Sequence, residues 1–412
     1  MGVENNIPEG WMETTLGDLV ERITKGTTPK IFSSEKNDVN YIKSDALNYS
    51  GFLDNGRFVK ISNETNNKLK RSQLKVDDIL LSMAGEKLGK TGIIKEQHLP
   101  ANTNQAVAII TVNKKRVGYK FIWYKLRNKN TVKYFKTIPS QSAQPNINFQ
   151  EIRSLPINLP TLPEQKAIAK VLTAFDDKIE LLQAQNKTLE TMAQTIFKEW
   201  FGKYQIGDEL PEGWRVGKLG DIAKHVKNNI KPFNNPNKLY HHYSLPAYDD
   251  GLRPVNELGS DIKSNKYSVE NNSFLVSKLN PFTPRIWTIF NSEDVNICST
   301  EFQVVKPNED NLFSIVHCLL NSKYFTDNLS QKIKGTSSSH QRVNPEDIFE
   351  VDLVIPNKED LIRFEKLVIP MITKKDINHN NIQSLTKTRD TLLPKLMSGQ
   401  VRVNNLKQTA DA

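Results

Sequence analysis

A chain of 412 residues is long enough for at least two cores, and its 37% hydrophobic and 25% charged content, with a mean hydropathy of −0.52, is that of a globular chain. No apolar run approaches the roughly 18 residues of a membrane span, residues 1–7 lack a basic-then-apolar leader, and Cys298 and Cys318 are too few for a disulfide scaffold or a structural zinc; a reducing cytoplasm is expected. The net charge of +10 suggests a polyanionic partner but is uneven: residues 1–162 hold 24 bases and 15 acids, residues 204–356 hold 16 and 19.

In chain order, Pro8-Glu9-Gly10-Trp11 and Leu16-Gly17-Asp18-Leu19 open a β-rich block. Residues 79–83 and 92–94 read as the strands of a hairpin, residues 106–112 as a further strand, and residues 119–127 as a helix packed on them. A polar loop, Ser140-Gln141-Ser142-Ala143-Gln144, precedes Asn148-Phe149-Gln150-Glu151-Ile152 and the stop Leu159-Pro160. Helical periodicity then sets in. Ile168, Leu172, Phe175, Ile179, Leu182, Asn186, Leu189, Ala193, Ile196 and Trp200 recur at alternating spacings of four and three, the seam of a coiled coil with one polar member.

The layout then repeats. Pro211-Glu212-Gly213-Trp214 and Leu219-Gly220-Asp221-Ile222 return at an offset of 203, and Asn344-Pro345-Glu346-Asp347-Ile348 with Ile355-Pro356 at 196. Between them, residues 274–277 and 302–305 read as strands and residues 312–320 as a helix. A second polar loop runs from Lys334 to Arg342. The second seam is Leu361, Phe364, Val368, Met371, Lys375, Asn378, Ile382, Leu385, Arg389, Leu392 and Leu396, and Pro370 should kink it. The organisation expected is therefore domain one at 1–162, a helical spacer at 163–203, domain two at 204–356, a second spacer at 357–399 and a tail at 400–412.

An antiparallel pairing of the helices sets Asn186 against Asn378, so that two amides can satisfy each other. It also matches Leu172 with Leu392, Ile179 with Leu385, Leu182 with Ile382 and Trp200 with Phe364. Phe175 meets Arg389 and Leu189 meets Lys375, long cations expected to snorkel out of the seam. Such helices would act as a ruler between the two domains, related by a pseudo-twofold. The fold class is thus α+β: two similar mixed α/β domains separated by two long helices forming an antiparallel coiled coil.

The sequence carries no complete catalytic motif. Ala84-Gly85-Glu86-Lys87-Leu88-Gly89-Lys90-Thr91 loosely fits a phosphate loop, but a strand follows where a helix is required. Asn280-Pro281-Phe282 resembles an adenine-methyltransferase signature short of one proline. Glu164-Gln165-Lys166 lies at a helix start, where acids favour the dipole, and His241-His242 point to opposite faces of a strand. No metal ligands or catalytic residues are assigned. Binding is the expected task, with Lys87, Lys90, Gln141 and Gln144 in the first domain and Lys278, Arg285, Lys334, Gln341 and Arg342 in the second as DNA contacts.

These motifs together resemble the DNA-specificity subunit of Type I restriction-modification systems: two copies of Pro-Glu-Gly-Trp…Leu-Gly-Asp, Leu-Pro-x-Leu-Pro-Glu-Gln at 159–165, Phe-Lys-Glu-Trp-Phe at 197–201 and Arg-Asp-x-Leu-Leu-Pro-Lys-Leu-x-Ser-Gly at 389–399. The resemblance spans residues 8–402. It implies two target-recognition domains, each reading half of a split site in double-stranded DNA. It also implies two modification subunits and restriction-translocase subunits as partners, with S-adenosylmethionine, ATP and magnesium on those partners, and no cofactor here. The second helix departs from the pattern by opening on Asn357-Lys358-Glu359-Asp360. The alternative is a free-standing DNA-binding regulator with an internal coiled coil.

Overall fold

A computed structural model describes residues 7–138, 146–293, 295–333 and 341–403. The chain divides into two compact units, residues 1–181 with 382–412, and residues 182–381. Each unit combines one α/β domain with parts of two long helices, Leu162–Trp200 and Lys358–Met397. The second helix is continuous through Pro370.

The first domain has three sheets. Met12–Thr15 pairs with Pro156–Leu159. A four-stranded sheet has the order Val20–Lys25, Val107–Val112, Ile79–Ser82, Thr91–Ile93. A three-stranded sheet has Val39–Ile42 between antiparallel Val59–Ile61 and parallel Ala101–Thr103. The second domain repeats this plan. Arg215–Lys218 pairs with Asp352–Ile355, and Ala223–Val226, Phe302–Pro307, Ser273–Ser277 and Ile286–Ile289 form the four-stranded sheet. Its third sheet places Leu239–Tyr243 between antiparallel Val255–Leu258 and parallel Asn296–Ser299, then adds Lys266–Ser268 and Asn229–Ile230. These two added strands have no counterpart among the described residues of the first domain.

The recurring motifs have physical reasons. In Pro-Glu-Gly-Trp the tryptophan N–H donates to the proline carbonyl at 3.0 Å in both copies, and the intervening Gly10 and Gly213 take φ of +79° and +76°, a region that glycine adopts at no steric cost. This turn aims each indole N–H at the start of a long helix: Trp11 donates to Glu164 at 3.1 Å and Trp214 to Asp360 at 3.0 Å. Asp360 therefore does in the second copy what Glu164 does in the first. In Leu-Gly-Asp the leucine is buried and the aspartate caps a one-turn helix, Asp18 accepting the Thr15 N–H and Asp221 the Lys218 N–H.

Within each unit the long helices run antiparallel. In the second unit Asn378 Nδ2 donates to Asn186 Oδ1 at 3.0 Å, and the Trp200 and Phe364 rings lie 5.8 Å apart. In the first unit Ile168 and Leu172 share a core with Leu393, Leu396 and Met397, and Leu392 packs against it. The expectation that Arg389 snorkels to solvent is corrected, while Lys375 keeps 31% of its side chain exposed. Arg389 is buried and bonds Asp176 at 2.7 Å, while Lys375 pairs with Glu190. Each cation meets an acid one residue beyond its seam partner, which offsets the cost of leaving it unpaired inside.

Candidate nucleic-acid interface

In the first domain the strands Ile79–Ser82 and Thr91–Ile93 form an antiparallel hairpin whose loop holds a single turn, Gly85–Lys87. Gly85 and Gly89 have φ of +66° and +84°, so the loop reverses tightly without steric penalty. No helix follows Thr91, in keeping with the sequence reading against a phosphate loop. The segment leading to the Leu-Pro stop is stapled to this loop: Ala84 bridges Asn146, and the Ile147 N–H donates to the Met83 carbonyl at 3.0 Å.

The second domain builds the same staple. Its hairpin joins Ser273–Ser277 to Ile286–Ile289, Leu279 bridges Arg342, and the Val343 N–H donates to the Lys278 carbonyl at 3.1 Å. Asn280, at φ +51°, donates its N–H to the Gln341 carbonyl at 3.0 Å. Beyond Pro281, Phe282 is 61% exposed, a large ring without cover at the loop tip.

Electrostatics differ between the copies. Lys87 and Lys90 are half-buried, and the Lys90 ammonium lies 5.4 Å from the Tyr49 ring centroid. Gln141 and Gln144 lie outside the described residues, as does Lys334. Arg285 grips Asp249 through two bonds of 2.8 and 3.0 Å. Arg342 and Lys278 share Glu301, at 3.3 and 3.9 Å. Gln341 is half-buried beside Asn280. The fold brings each hairpin loop against Asn146-Ile147 or Gln341–Val343, but the sequence did not single out Tyr49, Lys136 or Glu301. Only the folded chain makes them neighbours of the chosen cations.

Burial pushes the Cys298 thiol up to about 12 and also raises Cys318, so neither is a ready nucleophile. His225, stacked on Phe349 with ring centroids 5.6 Å apart, is pulled down to about 4 by burial and by Lys227. His242 bonds Glu257 and His241 bonds Asn296 across neighbouring strands. Glu164 is taken by Trp11 and Arg402. Among the described residues no three His, Cys, Asp or Glu side chains cluster as metal ligands, and no helix is long and apolar enough to cross a membrane.

Residues 8–191 match the family described as Type I restriction modification DNA specificity domain. The chain is 27% identical to the Type I restriction enzyme MjaIX specificity subunit of Methanocaldococcus jannaschii, over 97% of this chain and 95% of that one. It is 22% identical to the HindI specificity subunit of Haemophilus influenzae, over 95% and 99% respectively. The crystal structure of a Type I restriction-modification S subunit from M. genitalium has the same fold, with a TM-score of 0.60 at 17% identity over 96% of this chain and 98% of that one.

Proposed function

We propose that this chain is a DNA specificity subunit of a Type I restriction-modification system, and that it reads a split site in double-stranded DNA, one half with each domain. It holds two modification subunits that methylate adenine, and restriction-translocase subunits join them in the cytoplasm. S-adenosylmethionine, ATP and magnesium belong to those partners. The observation that carries this reading is the duplicated staple between the hairpin loop and the residues just before the capped helix that leads to the stop, Asn146-Ile147 in the first domain and Arg342-Val343 in the second. Such loops present Lys, Arg and Gln side chains to base edges and phosphates, while the long helices act as a spacer between the two readings.

The DNA contacts in this proposal are Lys87, Lys90, Gln141 and Gln144 in the first domain and Lys278, Arg285, Lys334, Gln341 and Arg342 in the second. Methylome sequencing with and without the gene supplies the motif. Replacing residues 1–158 by a homologous domain should then change one half of that motif and leave the other. Both halves changing together would defeat the modular reading. The purified chain with S-adenosylmethionine should transfer no methyl group until modification subunits are added; transfer by the chain alone would defeat the division of labour.

A further inference from the structure

The first domain's helix Lys129–Thr137 turns Lys129, Lys133 and Lys136 to one exposed face, at i, i+4 and i+7. Its other side buries Thr131 and Phe135 and sets Val132 against Gly89, where an added Cβ would come within 3.0 Å, so the helix is seated on the hairpin loop. The stripe continues across that seat. Lys136 Nζ lies 5.3 Å from the Tyr49 ring centroid, and Lys90 reaches the same ring at 5.4 Å. Tyr49 is 42% exposed, and its hydroxyl donates to the carbonyls of Glu86 and Leu88 at 3.1 and 3.2 Å, which fixes the ring on the loop.

Among the described residues none of Lys87, Lys90, Lys129, Lys133 and Lys136 forms an ion pair. Residues 97–150 contain nine Lys and Arg and no Asp or Glu. Lys129 even stands at the start of its helix, where the dipole disfavours a cation. Like charges gathered this way repel each other, and the Tyr49 ring offsets only part of that repulsion. An arriving polyanion would offset the rest.

The second domain has the same helix without the stripe. In Lys323–Gln331 the corresponding three positions are Lys323, Asp327 and Ser330, and Lys323 pairs with Asp327 at 2.5 Å. Its loop cations are likewise occupied, Lys278 and Arg342 by Glu301 and Arg285 by Asp249.

We infer that Lys129, Lys133 and Lys136, continued over Tyr49 to Lys90, form a track for the DNA phosphate backbone that the second domain lacks, so that the salt-sensitive part of the affinity resides in the first domain. This rests on the DNA-reading function proposed above. It assigns Lys90 a phosphate rather than a base.

The test uses the full-length chain with its modification subunits, titrated with labelled duplexes that carry or lack the methylated motif, between about 50 and 200 mM salt. Removing one cation that neutralises a phosphate reduces the slope of log K against log salt by about 0.9. The variant Lys129→Gln/Lys133→Gln/Lys136→Gln should flatten the slope by about 2 to 3 and weaken both duplexes equally. Its thermal midpoint should stay at the wild-type value, because the three side chains are exposed. The variant Lys278→Gln/Arg285→Gln/Arg342→Gln should leave the slope within about 1 of wild type. An unchanged slope in the first variant, or an equal fall in the second, overturns the inference. Loss of the modification subunits at unchanged slope would mark the stripe as a protein-docking surface, which also overturns it. A wild-type complex with no affinity for either duplex would overturn the DNA reading itself, and the track with it.

Discussion

At Asp176 two guanidinium groups meet one buried carboxylate: Arg127 bonds it at 2.5 Å and Arg389 at 2.7 Å, and the Tyr124 hydroxyl adds a bond of 2.7 Å. Burial alone would raise this carboxyl, but Arg127 and then Arg389 hold it below its ordinary 3.8. The stability it contributes is therefore complete above about pH 4 and is lost as pH falls through the lowered value. Asp176→Asn strands two buried cations and should cost about 3–5 kcal/mol in urea unfolding; a loss under about 1 kcal/mol would show that water reaches the site. His225 gives the opposite end of the scale. Its folded pKa of about 4 lies below the ordinary 6.5, so between these values the unfolded chain binds more protons and stability falls as pH drops. Burial also lowers His98, His242 and His317. The melting temperature should therefore decline from pH 6.5 towards 4, and His225→Gln should make that decline shallower; an unchanged profile would refute the assignment.

Helix pairing was legible in the sequence at this next scale because most seam positions are apolar and each seam carries one asparagine in register. Asn186 and Asn378 do meet, yet they share a single bond: Asn186 Nδ2 turns instead to the Lys375 carbonyl at 3.3 Å, and Asn378 Oδ1 is buried without a partner. Replacing Asn186 alone by Leu should cost about 1–3 kcal/mol, since it leaves the buried Asn378 amide only its longer bond of 3.4 Å to Gln185. The double replacement with Asn378→Leu should recover that loss or exceed it in thermal melts. A double variant no more stable than the single one would show that the amides do not set the energetics of this layer. The acids that receive Arg389 and Lys375 escaped the sequence reading because Asp176 and Glu190 stand one position off the seam, where periodicity places solvent. The added strands Asn229–Ile230 and Lys266–Ser268 escaped it for another reason: they are two and three residues long and carry no alternation to recognise. Likewise the Tyr49–Lys90–Lys136 cluster joins three segments distant in sequence, and charge counting alone registers only their excess.

For the whole molecule, the division of the chain matters more than its length. The first unit recruits residues 382–412 to residues 1–181, whereas the second is one continuous segment. Val403 belongs to the first core, Val401 packs on it, and Arg402 bonds Glu164 at 2.7 Å and the Glu9 carbonyl at 3.1 Å. Deleting the chain after residue 398 should therefore destabilise the first unit by about 2–4 kcal/mol and leave the second unaffected. Calorimetry that resolves two transitions would detect the difference, and an equal shift of both would contradict it.

The split first unit also bears on birth at the ribosome. A nascent chain emerges from its N-terminus, so the first domain is exposed to the cell before residues 382–403 exist. At about 5–20 residues per second, Ile168 and Leu172 wait roughly ten to forty seconds for the Leu393, Leu396 and Met397 side chains that cover them. The segment from 182 to 381, made later, holds all its own partners and can close sooner. Vectorial synthesis thus finishes the later unit first, and the earliest residues translated should be the last to gain protection from protease.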